Sequence, residues 1–317
     1  MLNLLKTTGR VVAMLFAAGV FAGAAFGAVA RPGTVNYAEG QVSLDGRPIG
    51  AKGLGSTEAG PGQVLQTANG KAEMLLTPGV VLRLSDASAV KMISPSLTDT
   101  RVELLKGEAM VEAAEVQKEN HIDVIDRGAT IELKKRGLYR FNADQPLLAV
   151  YDGKAQVQQD DRTVDVGKGR ELPLAQSSQR KPQKFDTKQT DSLYQWSKLR
   201  SQYLAEANMS SVRTIVMDNP GWWYGTGWYW NPWFSTWAFV PGGGFPFSPF
   251  GFGFYSPAYF FYNPPLFFHV RPGRIVRSFP GGRIGSGVGL RAPAMRAPGS
   301  GSGLRAPAMR APAVGRR

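Results

Sequence analysis

The chain has 317 residues, a formal net charge of +13, 43% hydrophobic residues and no cysteine. Lacking cysteine, it cannot form disulfides, thiolate metal sites, a cysteine nucleophile or a lipid-bearing cysteine, so an exported fold must rest on its core alone. Residues 31–180 carry 19 Lys/Arg against 20 Asp/Glu, residues 181–219 six against four, and residues 220–317 ten arginines with no acid, so the excess charge belongs to a tail and not to a basic domain.

Residues 1–30 read as an export signal. Lys6 and Arg10 give a basic start, Val11 to Phe26 is apolar, and Ala28-Val29-Ala30 offers the small-x-small cleavage pattern. The alternative is that residues 11–30 stay as an uncleaved anchor, since they are about long enough to span a bilayer. Alanine and glycine dominate the second half of the run, which favours cleavage. Prolines and glycines break every later apolar run, so no integral span is expected after cleavage.

From Gly33 to about Leu174 the hydrophobic pattern has period two. Val42 and Leu44, then Ala72, Met74 and Leu76, then Val80, Leu82 and Leu84 alternate with other side chains; Ala109, Val111 and Ala113, and later Ala129, Ile131 and Leu133, do the same. Such alternation marks strands with one buried face. Hairpin turns are expected at Asp45-Gly46, Asn69-Gly70, Pro78-Gly79, Lys106-Gly107 and Asp152-Gly153, where glycine supplies positive φ. Short, regularly spaced strands with no intervening helical pattern predict a mainly β fold, an antiparallel sandwich or roll.

The order of these features resembles the FecR-like periplasmic domain family. GTVNYAEGQVSLDGRPI resembles its opening strand pair, and GQVLQTANGKAEMLLTPGVVLRLS its strand, turn and second apolar strand. VELLKGEAMVEA, IDVIDRGATIELKKRGLYRFNAD, LLAVYDGKAQVQ and RTVDVGKGREL follow in the family's order. The resemblance implies an exported β domain over residues 31–174. Ala68-Asn69-Gly70 and Arg127-Gly128-Ala129 depart from the family's usual turns. Members that regulate sigma factors carry a cytoplasmic segment before a membrane helix. Only ten residues precede the apolar run here, too few for that segment, so the signalling role is not expected to come with the domain.

Residues 175–190 have the composition of a linker. Leu193, Trp196, Leu199, Tyr203, Leu204 and Ala207 then recur at helical spacing, which predicts one amphipathic helix over 191–207, capped by Thr190 or Asp191. Trp196 and Leu199 are expected to pack back onto the β domain. The FDTKQTDSLYQWSKLRSQ stretch is similar to one that follows FecR-like domains in some exported bacterial proteins.

Residues 208–270 form an aromatic, Gly/Pro-rich segment, with 22 aromatics between 222 and 268 and no charge there. It is too hydrophobic for ordinary disorder and too poor in aliphatic filler for a well-specified core. It therefore reads as an irregular tail that covers the β domain, lies at an envelope surface, or associates with itself or with downstream arginines. Residues 271–317 repeat GLRAPAMRAP at Gly289 and Gly303 and read as an extended cationic arm. Trp222, Trp223, Trp228, Trp230, Trp233 and Trp237, with Arg291, Arg296, Arg305 and Arg310, are the candidate contact residues. The expected partner is a cell-envelope component, either an anionic polymer or lipid headgroups, or a second copy. The export signal argues against nucleic acid.

No enzymatic activity, cofactor or metal is expected. The two histidines are His121 and His269. His121 with Asp123 and Asp126 is the strongest metal candidate, but a solvated strand edge explains it better. GSGSG at 299–303 lies in the arm and not in a nucleophile elbow. The resulting expectation is a non-catalytic exported envelope protein. Its rivals are a membrane-anchored sensory protein and, less well supported, an envelope enzyme acting on glycan or peptide.

Overall fold

The computed structural model describes residues 30–174, 181–218, 225–265, 269–271 and 274–276. The chain divides into two units, Met1–Pro265 and Leu266–Arg317. In the second unit, His269–Arg271 pairs with Arg274–Val276 as a short hairpin. The expected signal up to residue 29, the part of the linker from 175 to 180, and most of the arm lie outside the described residues.

The body of the first unit is mainly β and dominantly antiparallel. Its strands are β1 (Val35–Leu44), β2 (Arg47–Pro48), β3 (Val64–Leu75), β4 (Val80–Leu84), β5 (Ala89–Pro95), β6 (Asp99–Lys106) and β7 (Glu108–Ala113). They continue as β8 (His121–Asp126), β9 (Ala129–Leu133), β10 (Gly137–Asn142), β11 (Leu147–Asp152), β12 (Lys154–Gln159), β13 (Arg162–Gly167), β14 (Arg170–Pro173) and β15 (Gln183–Lys184). The hydrogen-bonded path runs β13-β12-β9-β8-β6-β5-β3-β4-β7-β10-β11-β14-β15, with β1 on β3 and β2 on β1. Every described strand pairing is antiparallel except β6 with β8.

This path folds into two leaves at β3. Val64–Gln66 pair with β5, whereas Ala72–Leu75 pair with β4. At the bend Gly40 of β1 faces Gly70 of β3. A Cβ on Gly40, whose φ is +68°, would lie 2.2 Å from the Asn69 carbonyl oxygen, so only glycine lets the two backbones approach there. The Asn69-Gly70 pair expected as a hairpin turn thus sits inside one continuous strand and folds the sheet. Of the other expected turns, Asp45-Gly46 and Pro78-Gly79 close the hairpins β1–β2 and β3–β4. Lys106-Gly107 and Asp152-Gly153 instead pass the chain from one leaf to the other, since β6 and β7, like β11 and β12, do not pair.

The inward positions of both leaves form one core, with Leu82, Val111, Phe141 and Val150 from one leaf and Val102, Val124, Ile131 and Val157 from the other. They come from the period-two positions, because a pleated strand sends alternate side chains to one face.

Helix α1 (Ser192–Asp218) follows and ends eleven residues beyond the expected end at 207. Asp191 caps it, its Oδ1 accepting from the Tyr194 amide at 3.0 Å. The extension runs through Ser210, Ser211, Val212, Thr214 and Ile215, which are poor helix formers. Asn208, Ser211 and Val212 are nonetheless buried against the next segment, and that packing overrides propensity. The segment is not irregular throughout. It forms a hairpin of β16 (Gly227–Asn231) and β17 (Thr236–Val240), then a short helix α2 (Pro257–Tyr262) capped by Ser256. No described helix is long and apolar enough to cross a membrane.

Candidate functional site

The outer face of the leaf built on β3, β4 and β7 carries charged side chains where the alternation turns away from the core. Glu73, Arg83 and Glu112 occupy it, and all three are buried because α1 and the aromatic segment lie over them. Arg83 Nε donates to Glu73 at 2.8 Å, and its Nη1 donates to Glu112 at 2.6 Å. From the helix, Arg200 Nη2 donates to Glu73 at 2.9 Å and the Ser201 hydroxyl to Glu112 at 2.6 Å. The Ser248 hydroxyl, from the aromatic segment, also donates to Glu112. Two arginines and two glutamates balance, which is what allows the cluster to leave water. Burial alone would raise the Glu73 pKa, but the guanidinium groups of Arg200 and Arg83 outweigh it and hold the carboxyl below its ordinary value. Burial acts to lower the Arg83 pKa, and Glu112 and Glu73 reverse that to leave it raised.

Sequence periodicity placed Trp196 and Leu199 on the inward face of this helix. Of the expected stripe Leu193, Leu204 and Ala207 are buried, but the inward face is completed by Ser197, Arg200, Ser201, Asn208, Ser211 and Val212. These residues also recur at three and four, but they are largely polar, because the surface they meet is charged. Trp196 packs half-buried onto the body as expected, beside Tyr37 and the cluster of Met110, Leu138 and Leu193, whereas Leu199 is 63% exposed.

The aromatic segment is fastened to the same leaf by buried amides. The Asn36 side chain accepts from the Trp237 amide at 2.8 Å and donates to the Trp237 carbonyl at 3.3 Å. Asn208 of α1 donates to the carbonyls of Phe239 and Tyr255 and accepts from the Tyr255 amide. Asn231 donates to the Ala207 carbonyl at 3.0 Å and to the Ser211 hydroxyl at 3.1 Å. Between these bonds a second core forms, in which Leu75, Val81, Ala114 and Leu204 supply aliphatic filler for Trp228, Trp237, Phe239 and Phe254. The segment could not specify a core from its own residues, and the sheet and helix complete it.

The candidate tryptophans therefore divide. Trp228 and Trp237 are buried, the latter donating its indole N–H to the Gly55 carbonyl at 2.7 Å. Trp230 is 42% exposed and packs edge-on against Trp237, while Trp233 is 87% exposed on the β16–β17 turn. Trp222, Trp223, Arg291, Arg296, Arg305 and Arg310 lie outside the described residues. The polar amides Asn36, Asn208 and Asn231 escaped sequence reasoning, as did the Glu73–Arg83–Glu112 cluster. The cluster's only sequence signal was charge at outward positions, which usually marks water, and the neutral amides gave none.

The metal candidates do not converge. His121 is an exposed strand-end side chain, its Nδ1 3.5 Å from a Glu132 oxygen. Asp123 faces outward opposite Glu132, whereas Asp126 has the other parity and turns into the core. Among the described residues no group of three or more His, Asp or Glu is placed to hold a metal ion. Asp126 is an anomaly of its own: it is fully buried, and neither carboxylate oxygen has a hydrogen-bond partner. Burial pushes its pKa up to about 6, with Arg127 opposing.

Residues 63–156, from the start of β3 into β12, match the sequence model of the family described as FecR protein. No curated protein matches the chain. Among solved structures, two crystal structures of a protein provisionally described as an anti-sigma factor from Parabacteroides distasonis ATCC 8503 are similar, each at 12% identity. Their TM-scores are 0.34 and 0.33, over 44% and 47% of this chain. The chain spans 64% of the first of those structures and 71% of the second.

Proposed function

Starting from a FecR-like domain at residues 63–156, we propose that this is a non-catalytic, exported cell-envelope protein. Its β body serves as a binding or scaffold module, and its C-terminal third attaches it to, or assembles it at, an envelope surface. One observation carries the reading. Of the ten exposed large hydrophobic side chains described, eight lie between Leu199 and Tyr262, in the layer that seals the charged face of the body. The layer is thus anchored on its inner side and carries exposed apolar side chains on its outer side, the arrangement of a surface that meets a partner. Beyond it the sequence continues into a segment whose only charged residues are arginines, suited to acidic polymer or anionic headgroups.

Cell fractionation tests this, comparing the full chain with one ending at Pro265. Both should reach the envelope fraction with a new N-terminus near Arg31, and the shorter chain should be held less tightly at low salt. Recovery of the full chain from the cytoplasm would overturn the reading. An intact N-terminus in the membrane fraction would replace it with the anchored sensory alternative.

A further inference from the structure

Resting on that reading, we propose that the β16–β17 hairpin tip docks into the interfacial layer of a lipid surface, with Trp233 as the inserted side chain. The tip is built to hold an apolar side chain out in water. Asn231 Oδ1 accepts from the amides of Trp233 and Phe234, at 3.0 and 3.2 Å, which fixes the turn. The same Asn231 is tied by its Nδ2 to α1, so the turn is braced by the helix beneath it. Ser235 completes the turn at φ +46°, a left-handed conformation held there by the surrounding bonds. The turn backbone is therefore fixed with the Trp233 side chain 87% exposed.

Its neighbours extend the apolar surface. The Tyr203 hydroxyl donates to the Phe234 carbonyl at 3.1 Å, and the two rings meet edge-on with centroids 5.1 Å apart. Leu199, one helical turn before Tyr203, is 63% exposed, and Trp230, next to the turn in β16, is 42% exposed. Tryptophan and tyrosine suit the boundary between acyl chains and headgroups, since each joins an apolar ring to a polar tip.

Two features select lipid over a glycan chain. Residues 225–265 contain no charged side chain, so no charge on the hairpin must be desolvated as it enters an apolar layer. The exposed set also includes Leu199, an aliphatic side chain that offers a sugar ring neither a stacking face nor a hydrogen bond. The contact is apolar and should survive salt, unlike attachment through the arginines.

The test uses the full chain with vesicles of pure phosphatidylcholine in about 0.5 M salt, which screens the cationic arm. The chain should float with the vesicles, and brominated acyl chains should quench its tryptophan emission. Trp233→Ala should weaken partitioning roughly tenfold, and adding Leu199→Ala should weaken it further. Both side chains are exposed, so the variants should melt with the parent. Binding only to anionic vesicles, reversed by salt, would overturn the insertion and leave attachment through the arm. Retention on envelope glycan with no flotation would also overturn it while sparing the envelope reading. Equal flotation of parent and variants would remove the hairpin from the contact.

Discussion

The two leaves of the β body carry charge on their outer faces in the same alternating pattern, and they meet opposite fates. On one leaf, Glu73, Arg83 and Glu112 are sealed beneath α1 and the aromatic layer. On the other, Lys91 with Glu103, and Arg101 with Asp99, stand at the water boundary as loose pairs. A side chain of the same type at an equivalent strand position is therefore worth little on one leaf and much on the other. Exposed pairs contribute roughly 0–1 kcal/mol, whereas breaking a buried one strands a charge at a cost of about 3–5 kcal/mol.

The largest effect should come from Arg83→Ala, which leaves Glu73 and Glu112 facing each other in the sealed layer. It should cost about 3–5 kcal/mol in denaturant unfolding, against under about 0.5 kcal/mol for Arg101→Ala on the open leaf. Equal costs for the two would show that the seal is not closed in solution. Trp237→Ala removes a buried indole that donates to the Gly55 carbonyl of the body, and should cost about 3 kcal/mol; Trp233→Ala should cost less than about 0.5 kcal/mol. Thermal melts of the pair would sharpen the division between anchoring and outward-facing tryptophans.

Buried carboxylates sharpen the comparison through pH. Glu73 titrates below its ordinary value when folded, so its stabilisation is present above the unfolded pKa and is lost as pH falls through the folded one. Asp126 behaves oppositely. With a folded pKa of about 6 against 3.8, its favourable protonated form is fully present below about 4 and lost as pH rises through 6. Asp126→Asn should therefore stabilise the chain at pH 7 to 8 by up to about 3 kcal/mol and change little at pH 4. Stability that moves equally with pH in parent and variant would mean that water reaches this carboxylate. Ser201→Ala tests the sealed cluster with a smaller deletion than Arg83→Ala. It deletes one of two hydroxyls on a Glu112 oxygen and should cost about 1 kcal/mol, less if Ser248 compensates. A double-mutant cycle with Ser248→Ala measures that compensation.

Much of the body was legible because strand alternation is a local steric property. Val111, Ile131 and their neighbours face the core as their spacing predicts, and Asp191 caps the helix as its position suggests. The turns were less legible. Asn69-Gly70 supplies the right conformational freedom for a hairpin, but a glycine across the ladder, Gly40, makes it a bend within β3 instead. Lys106-Gly107 and Asp152-Gly153 link strands that do not pair and lead the chain to the opposite leaf, which depends on strand order and not on the turn itself.

The helix shows the limit most clearly. Two stripes at helical spacing were available, one rich in Trp196, Leu199 and Tyr203, the other in Ser197, Arg200, Ser201 and Asn208. Hydrophobicity favours the first when the surface beneath is apolar; here it presents Glu73, Arg83 and Glu112, and the polar stripe is the one that pairs with it. Alternation in the sequence by itself determined the β architecture, the core face of each strand and the concentration of charge-free aromatics in one stretch, since pleat and composition are written residue by residue. Which sheet face is sealed, which helix stripe turns inward and which tryptophans remain in water were decided only by the tertiary structure, because each depends on a partner brought from more than a hundred residues away.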